Sequence, residues 1–317
     1  KVWTTVKRSS PPEDFLMHLE AQRDRWNVLQ GDDEVVAPPS MLKRIAVQAS
    51  AGKGNTTSLS VDEMDALIDL ETNFMFKALW ILLAYVGPRI SEALNMYVCD
   101  VIDPNFARQL FLADVDGPVT IFADPRKSKF LGFGDPRRAI QKRTDYLAAT
   151  YGLQPRPDYG GKSMRAGWKG MTVFNPAFLI THGTWNSKKR AREFANLLDE
   201  IHALHADFGT ERLHPYLFVN AVNPEYRGEP LKMSNVKKAF DRACLRAGIE
   251  PHSLGASLHG CRHFYAWYAK HVRHVDEETL QKMLRQKSPL SQRTYGKRGS
   301  DIPDAMNKFK KNERVVT

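Results

Sequence analysis

Two arginines, a histidine and a tyrosine stand out in this chain by their chemistry and their setting. His259 and Arg262 are three residues apart in LHGCRHFYAWYAKH, so on a helix they lie one above the other on one face. Arg89 follows Gly87-Pro88 and opens the segment Ile90-Ser-Glu. A cation at a helix start meets the unfavourable end of the dipole, so an arginine kept there points to an anionic partner. Tyr295 lies in a basic, polar stretch, SQRTYGKR. Guanidiniums stay charged at any relevant pH and grip phosphate oxygens through two parallel donors. Imidazole accepts or relays a proton near neutrality. A phenol, with a pKa of about 10, becomes a nucleophile only with help from positive charge or a base.

The elements around these residues are readable. Ser257 is placed to cap a helix whose apolar positions are Leu258, Cys261, Tyr265 and Tyr268 or Ala269. Asp276 caps a second helix with Glu277 and Glu278 in its first turn and Leu280, Met283 and Leu284 on its buried stripe; Pro289 follows its end. Upstream, residues 74–86 are too apolar all round for a surface helix and read as core. Gly87-Pro88 breaks that helix, and Pro88 suits the first turn of another, over 89–96. Ser60-Val-Asp-Glu63 is a capping box before Met64, Leu67 and Ile68, which marks a domain start near residue 58.

The two stretches, FMFKALWILLAYVGPRISEALNM at 74–96 and LHGCRHFYAWYAKHVRHVDEETLQKMLRQKSPLSQRTY at 258–295, resemble the two signature boxes of the tyrosine recombinase (phage integrase) family. The resemblance covers roughly residues 58–310, with Tyr295 about thirty residues after Arg262. It implies a mainly α fold with a small antiparallel β-sheet (α+β), in which 58–317 is the catalytic domain. Residues 1–57 would be a short helical DNA-binding region or linker, small for a full copy of the family's N-terminal clamp. Arg89 and Arg262 then hold the phosphate, Tyr295 is the nucleophile that forms a 3′-phosphotyrosyl bond, and His259 handles a proton. The family's catalytic lysine sits in a hairpin turn; Lys127 is preferred here, with Lys129 beside it and Lys188 if the hairpin is displaced. Many members carry Leu-Gly-His before the tyrosine, where this chain has Leu284-Arg285-Gln286. Gln286 donates a hydrogen bond but carries no charge and moves no proton.

The same resemblance implies double-stranded DNA with specific recombination sites as partner, a homotetramer on paired sites, accessory DNA-bending proteins, and no cofactor or metal. It points to integration, excision or transposition of a mobile element, in a cytoplasmic, nucleoid-associated setting of bacterial or phage origin. A type IB topoisomerase or a telomere resolvase shares nearly the same residues. A non-catalytic DNA-binding protein on the same scaffold is the alternative from another class.

Composition agrees with that range. The net charge of +10 over 317 residues favours a polyanionic partner. Cys99, Cys244 and Cys261 lie far apart, match no metal spacing and fit a reducing compartment. The longest apolar run, 74–87, is too short to span a bilayer and contains Lys77.

Between the boxes the pattern is looser. Residues 109–113 and 119–123 read as strands, with 130–134 a weaker third and short strands at 171–174 and 178–181. Residues 134–171 read as a basic insertion with interleaved aromatics, placed either to track phosphates, to meet a neighbouring protomer or to be solvated. Asn186 to Leu204 reads as an amphipathic helix. Ser234 is expected to cap another that ends at Gly248. His263, Tyr265, Trp267 and Tyr268 are expected to pack rather than react.

Overall fold

The computed structural model describes residues 58–112, 117–129, 141–161, 164–209 and 213–287. The expected N-terminal region (1–57), the third strand (130–134), Tyr295 and the basic tail lie outside the described residues. The described chain is mainly helical with one small sheet, as expected.

The first described helix is α1 (Val61–Asp69), where Ser60 and Glu63 cap each other reciprocally. Helix α2 (Phe74–Tyr85) starts at Asn73, whose side chain accepts from the backbone N–H groups of Met75 and Phe76. Every residue from Ala78 to Tyr85 is buried. A helix this apolar on all sides has to be surrounded, and α2 packs against α6 (Lys188–Asp207) and α8 (Leu258–His271). Trp80 meets Phe240 edge-on at 5.2 Å, and Tyr85 meets Phe264 edge-on at 5.5 Å. Truncating such a core side chain to alanine costs about 2–5 kcal/mol, so this packing sets the frame on which both boxes sit.

A single turn, α3 (Ile90–Ala93), follows α2. The expected helix over 89–96 is therefore shorter, and Pro88 lies outside it. Arg89 is the residue before the turn, in extended conformation (φ −70°, ψ 146°).

The sheet is β1 (Val101–Ile102), β2 (Val119–Ala123) and β3 (Ile180–His182), in the order β1-β2-β3 and antiparallel throughout. Phe122 pairs with Thr181, and Val101 with Thr120. Alternation along β2 sends Val119, Ile121 and Ala123 to one apolar cluster and Phe122 to the main core. The strand expected at 109–113 is not one: residues 109–111 finish helix α4 (Pro104–Phe111). Asp103 caps that helix and Pro104 takes its first turn, a start signal that outweighs the short apolar run. Residues 171–174 form no strand either, although the Phe174 N–H donates to the Ile180 carbonyl. The strand expected at 178–181 begins later, because Leu179 has a left-handed backbone (φ 57°) that extended pairing does not allow.

Helix α5 (Arg143–Tyr151) and a short 3-10 turn at Arg156–Asp158 occupy the segment read as a basic insertion. Two of its arginines are neither solvated nor free for phosphate. Arg143 is fully buried, makes a two-pronged ion pair with Asp100 at 2.7 and 2.8 Å and lies 3.6 Å from the centre of the Tyr97 ring. Arg156 donates to the carbonyls of Leu94, Met164 and Leu231. Both act as internal braces that satisfy loop carbonyls.

Helix α7 (Met233–Arg246) begins one residue after Lys232, so Ser234 lies inside its first turn rather than capping it. The preceding Leu231 donates its N–H to the Phe218 carbonyl, and the helix starts where that extended pairing stops. Gly248 ends it with a positive φ of 72°, as expected. Ser257 and Asp276 cap α8 and α9 (Glu277–Met283) as expected. Tyr265 is fully buried, and Tyr268 packs on Tyr85 and Phe264. No described helix is long and apolar enough to cross a membrane.

Candidate phosphate-binding site

The site is built on the corner between α2 and α3. Gly87 turns that corner with φ 70°, and a Cβ there would stand 2.5 Å from the Tyr265 ring. Glycine is the residue that meets both demands. The turn delivers Arg89, whose N–H donates to Glu92 Oε2 at 2.9 Å and whose Nη1 donates to Glu92 Oε1 at 2.5 Å. Glu92 is buried. Burial pushes its carboxyl up, but the charges of Arg262, Arg89 and Arg285 outweigh that and hold it below the usual carboxylate range. One carboxylate therefore gathers three guanidiniums.

Arg262 comes from the first turns of α8 and is 1% exposed. Its Nη1 donates to the Gly87 carbonyl and its Nη2 to the Leu284 carbonyl, each at 2.5 Å. Nη1 also lies 4.0 Å from Glu92 Oε2. This side chain ties the corner of the upstream box to the end of α9, so the two sequence boxes form one unit.

His259 sits one turn before Arg262 on α8, exposed at the surface of the site. Partial burial first, then the charges of Arg262, Arg89 and Lys169, push its pKa down, so the ring is neutral at pH 7 and able to accept a proton. Its ring meets His263 edge-on at 4.9 Å. His263 is buried, and burial with the neighbouring His259 and Arg262 pushes it down to about 4. It packs, as expected.

Gln286 follows the end of α9 and is 4% exposed. Among the described residues neither its Oε1 nor its Nε2 has a hydrogen-bond partner. A buried primary amide left so costs about 1–3 kcal/mol, and its donors are unspent. Beside it, Arg285 is also buried, although in the sequence it stands out only as part of the departure from Leu-Gly-His.

The three lysines singled out from the sequence sit in different settings. Lys127 is exposed in the turn after β2, where the Ser128 N–H donates to the Asp124 carbonyl. Lys129 is half-buried with its ammonium 5.8 Å from the Phe178 ring centre. Lys188 opens α6. The lysine whose charge acts on His259 is Lys169. It lies on a segment pinned at both ends. Asn95 Nδ2 donates to the Ala166 carbonyl at 3.2 Å. On the other side, Thr172 donates from its N–H to Arg285 O and from Oγ1 to Gln286 O, both at 3.1 Å. In the sequence Lys169 is one more basic residue of the 134–171 stretch. Its signal, a lysine in Ala166-Gly-Trp-Lys-Gly-Met171, becomes visible only once the docking of that segment is known.

The described residues hold no cluster of three or more His, Cys, Asp or Glu side chains suited to a metal ion. No family model matches the sequence, and no curated protein is significantly similar to it. Among solved structures the chain is similar to XerA recombinase, at 16% identity and a TM-score of 0.45, over 88% of this chain and 68% of that one. It is also similar to a lambda integrase dimer bound to a COC′ core site, at 13% identity and a TM-score of 0.43, over 80% of this chain and 63% of that one. A third is XerH site-specific recombinase bound to a palindromic difH substrate in a post-cleavage complex, at 15% identity and a TM-score of 0.42, over 88% of this chain and 67% of that one. This chain thus spans about two thirds of the length of each of these tyrosine recombinase structures.

Proposed function

We propose that this protein is a site-specific DNA strand transferase that cuts and rejoins DNA through a covalent 3′-phosphotyrosyl intermediate on Tyr295. The observation that carries the reading is the meeting of Arg89 and Arg262 on the buried Glu92, with neutral His259 one turn away. Such a set suits a phosphodiester. Charge spreads over the non-bridging oxygens in the transition state, and prepositioned guanidiniums stabilise it there without reorganising.

In the proposed reaction the Tyr295 oxygen attacks phosphorus and the bond to the 5′-oxygen breaks. His259 takes the phenolic proton. The departing 5′-oxygen takes a proton from a lysine. By the resemblance that lysine is Lys127; Lys169, whose charge acts on His259, is the alternative. The phosphotyrosyl bond conserves the energy of the phosphodiester, so the reverse attack by a 5′-hydroxyl of another strand rejoins DNA without an external energy source. Gln286 offers its amide N–H to a phosphate oxygen. Recombination on paired sites would bring four copies together, and integration, excision or transposition is the role that fits.

The test is covalent capture on full-length protein with a pool of randomised duplexes carrying staggered nicks, from which the short product diffuses away. An adduct formed by wild type, absent from Tyr295→Phe and mapped to Tyr295 on a 3′-phosphate, is the expected result. Adducts in both proteins would overturn the assignment of the nucleophile. Clear DNA binding with no adduct from any duplex in the pool would favour a non-catalytic DNA-binding protein.

A further inference from the structure

Arg285 has no place in the reaction just described, yet the fold invests heavily in it. Its backbone is left-handed (φ 55°), a conformation that glycine adopts freely and a side chain disfavours. Its side chain is 1% exposed. The guanidinium lies 4.5 Å from the centre of the Phe122 ring on β2. Nη1 donates to the Met283 carbonyl at 3.1 Å and, more loosely, to Val86 O at 3.4 Å; Nη2 approaches Val86 O at 3.5 Å. Nε has no partner among the described residues. A charged group buried on such weak acceptors is expensive, and burial pushes its pKa down to about 10 in spite of the attraction of Glu92.

What it touches gives the reason. Val86 and Gly87 are the corner that delivers Arg89, and Met283 and Leu284 are the end of α9. Arg262 bridges Gly87 to Leu284, and Arg285 bridges Val86 to Met283. Two guanidiniums thus lash the same two backbone segments together, one residue apart. The Phe122 ring supports the second of them from the sheet, and Thr172 holds its backbone carbonyl from the segment that carries Lys169. Arg285 also adds its charge to the field on Glu92, the carboxylate that orients Arg89.

We infer that Arg285 is a positioning residue of the strand-transfer site, a second guanidinium brace that fixes the corner presenting Arg89 and joins it to the sheet and to the Lys169 segment. The inference rests on the function proposed above. It assigns Arg285 no contact with DNA: its effect passes through Glu92 and the 86–87 corner.

The experiment compares full-length wild type with Arg285→Lys, Arg285→Met and Arg285→Gly. Thermal unfolding first establishes the folded fraction of each. Single-turnover adduct formation on the nicked duplexes is then measured at saturating DNA, with duplex affinity followed across a salt series. For Arg285→Met we expect the saturating rate per folded molecule to fall on the order of ten- to a hundredfold, as for partners that orient a reacting group. Duplex affinity and its salt slope should stay as in wild type, and Arg285→Lys should recover part of the rate. A salt slope reduced by about one phosphate's worth would mean direct contact with DNA and overturn the positioning role. Unchanged rates in Arg285→Met and Arg285→Gly would overturn it as well.

A second measurement does not depend on catalysis. In protein labelled with carboxyl-13C glutamate, and with Glu92→Gln to assign the resonance, the Glu92 titration should move to higher pH in Arg285→Met. No movement would sink the inference. If wild type forms no adduct but the titration moves, the proposed function has failed and the brace has not.

Discussion

Arg262 and Arg285 donate to adjacent carbonyls, Gly87 and Val86, of a single corner; Arg262 reaches Leu284 O with its other Nη, and Arg285 reaches Met283 O from the same Nη1. Segments nearly two hundred residues apart in sequence are joined there side chain to backbone. The arrangement makes the upstream and downstream boxes mechanically dependent on each other, and it shapes how variants of either should behave.

Arg262→Lys tests the planar fork. An ammonium cannot serve Gly87 O and Leu284 O together while leaving donors for a phosphate. Adduct formation at saturating DNA should fall by about 10²–10³, the loss typical of one oxyanion-stabilising donor. The check is single-turnover kinetics, normalised to folded protein by circular dichroism.

Gln286→Leu separates stability from activity. The buried amide has no partner among the described residues, so replacing it with an apolar group of similar volume should leave stability unchanged or raise it by about 1 kcal/mol. The adduct rate should nevertheless fall, by about 100-fold if the amide binds the phosphate. Urea unfolding and adduct kinetics on the same preparations read both effects, and a rate equal to wild type would remove Gln286 from the site.

His259 should impose an acid limb on the reaction below the usual imidazole value of about 6.5, because its pKa is pushed down. Lys169→Met removes one of the cations responsible. The imidazolium is then less penalised, the pKa rises, and the acid limb moves to higher pH. Lys127→Met should leave the limb where it is. The pH dependence of the single-turnover rate gives all three curves.

The two lysines can also be told apart as proton donors. A duplex with a 5′-bridging sulfur has a leaving group that needs no proton. Substitution of the true donor by methionine should be damaging on ordinary DNA and nearly silent on the sulfur-bridged duplex. Rescue of Lys169→Met, with little effect of Lys127→Met on either substrate, is the expected pattern.

Glu92→Gln should destabilise the fold by about 3–5 kcal/mol near neutrality, the cost of removing one partner from a buried charge cluster. The wild-type carboxyl titrates below its ordinary value when folded. Its contribution is therefore fully present above about pH 4.3, the unfolded value, and is lost as the pH falls through the lower folded value. The stability gap between wild type and Glu92→Gln should narrow across that acid window in urea titrations.

Much of the framework was legible because its signals are local. The Ser60, Ser257 and Asp276 caps, the all-round apolar run of α2 and the glycine ends at Gly87 and Gly248 depend on neighbours within a few residues, and the structure follows them. Arg89, His259 and Arg262 could be singled out for the same reason, since two short boxes carry them. Local signals also misled where they competed. The apolar residues at 109–111 looked like a strand, yet Asp103-Pro104 had already committed them to a helix.

Nothing local distinguishes Arg143, Arg156 and Arg285 from solvated arginines. Their burial depends on carbonyls and carboxylates supplied by distant segments: Asp100 for Arg143, Leu94 and Leu231 for Arg156, Val86 for Arg285. Lys169 is the same case at the candidate site: its charge acts on His259, and its segment is held by the bonds of Ala166 to Asn95 and of Thr172 to Arg285 and Gln286. Residue type and short-range periodicity specify where helices begin, what they bury and which side chains can hold a phosphate. Which cations brace the fold and which face the site is a question of long-range partners, because a charge is placed by the field and hydrogen-bond acceptors around it, and those exist only after the chain has packed.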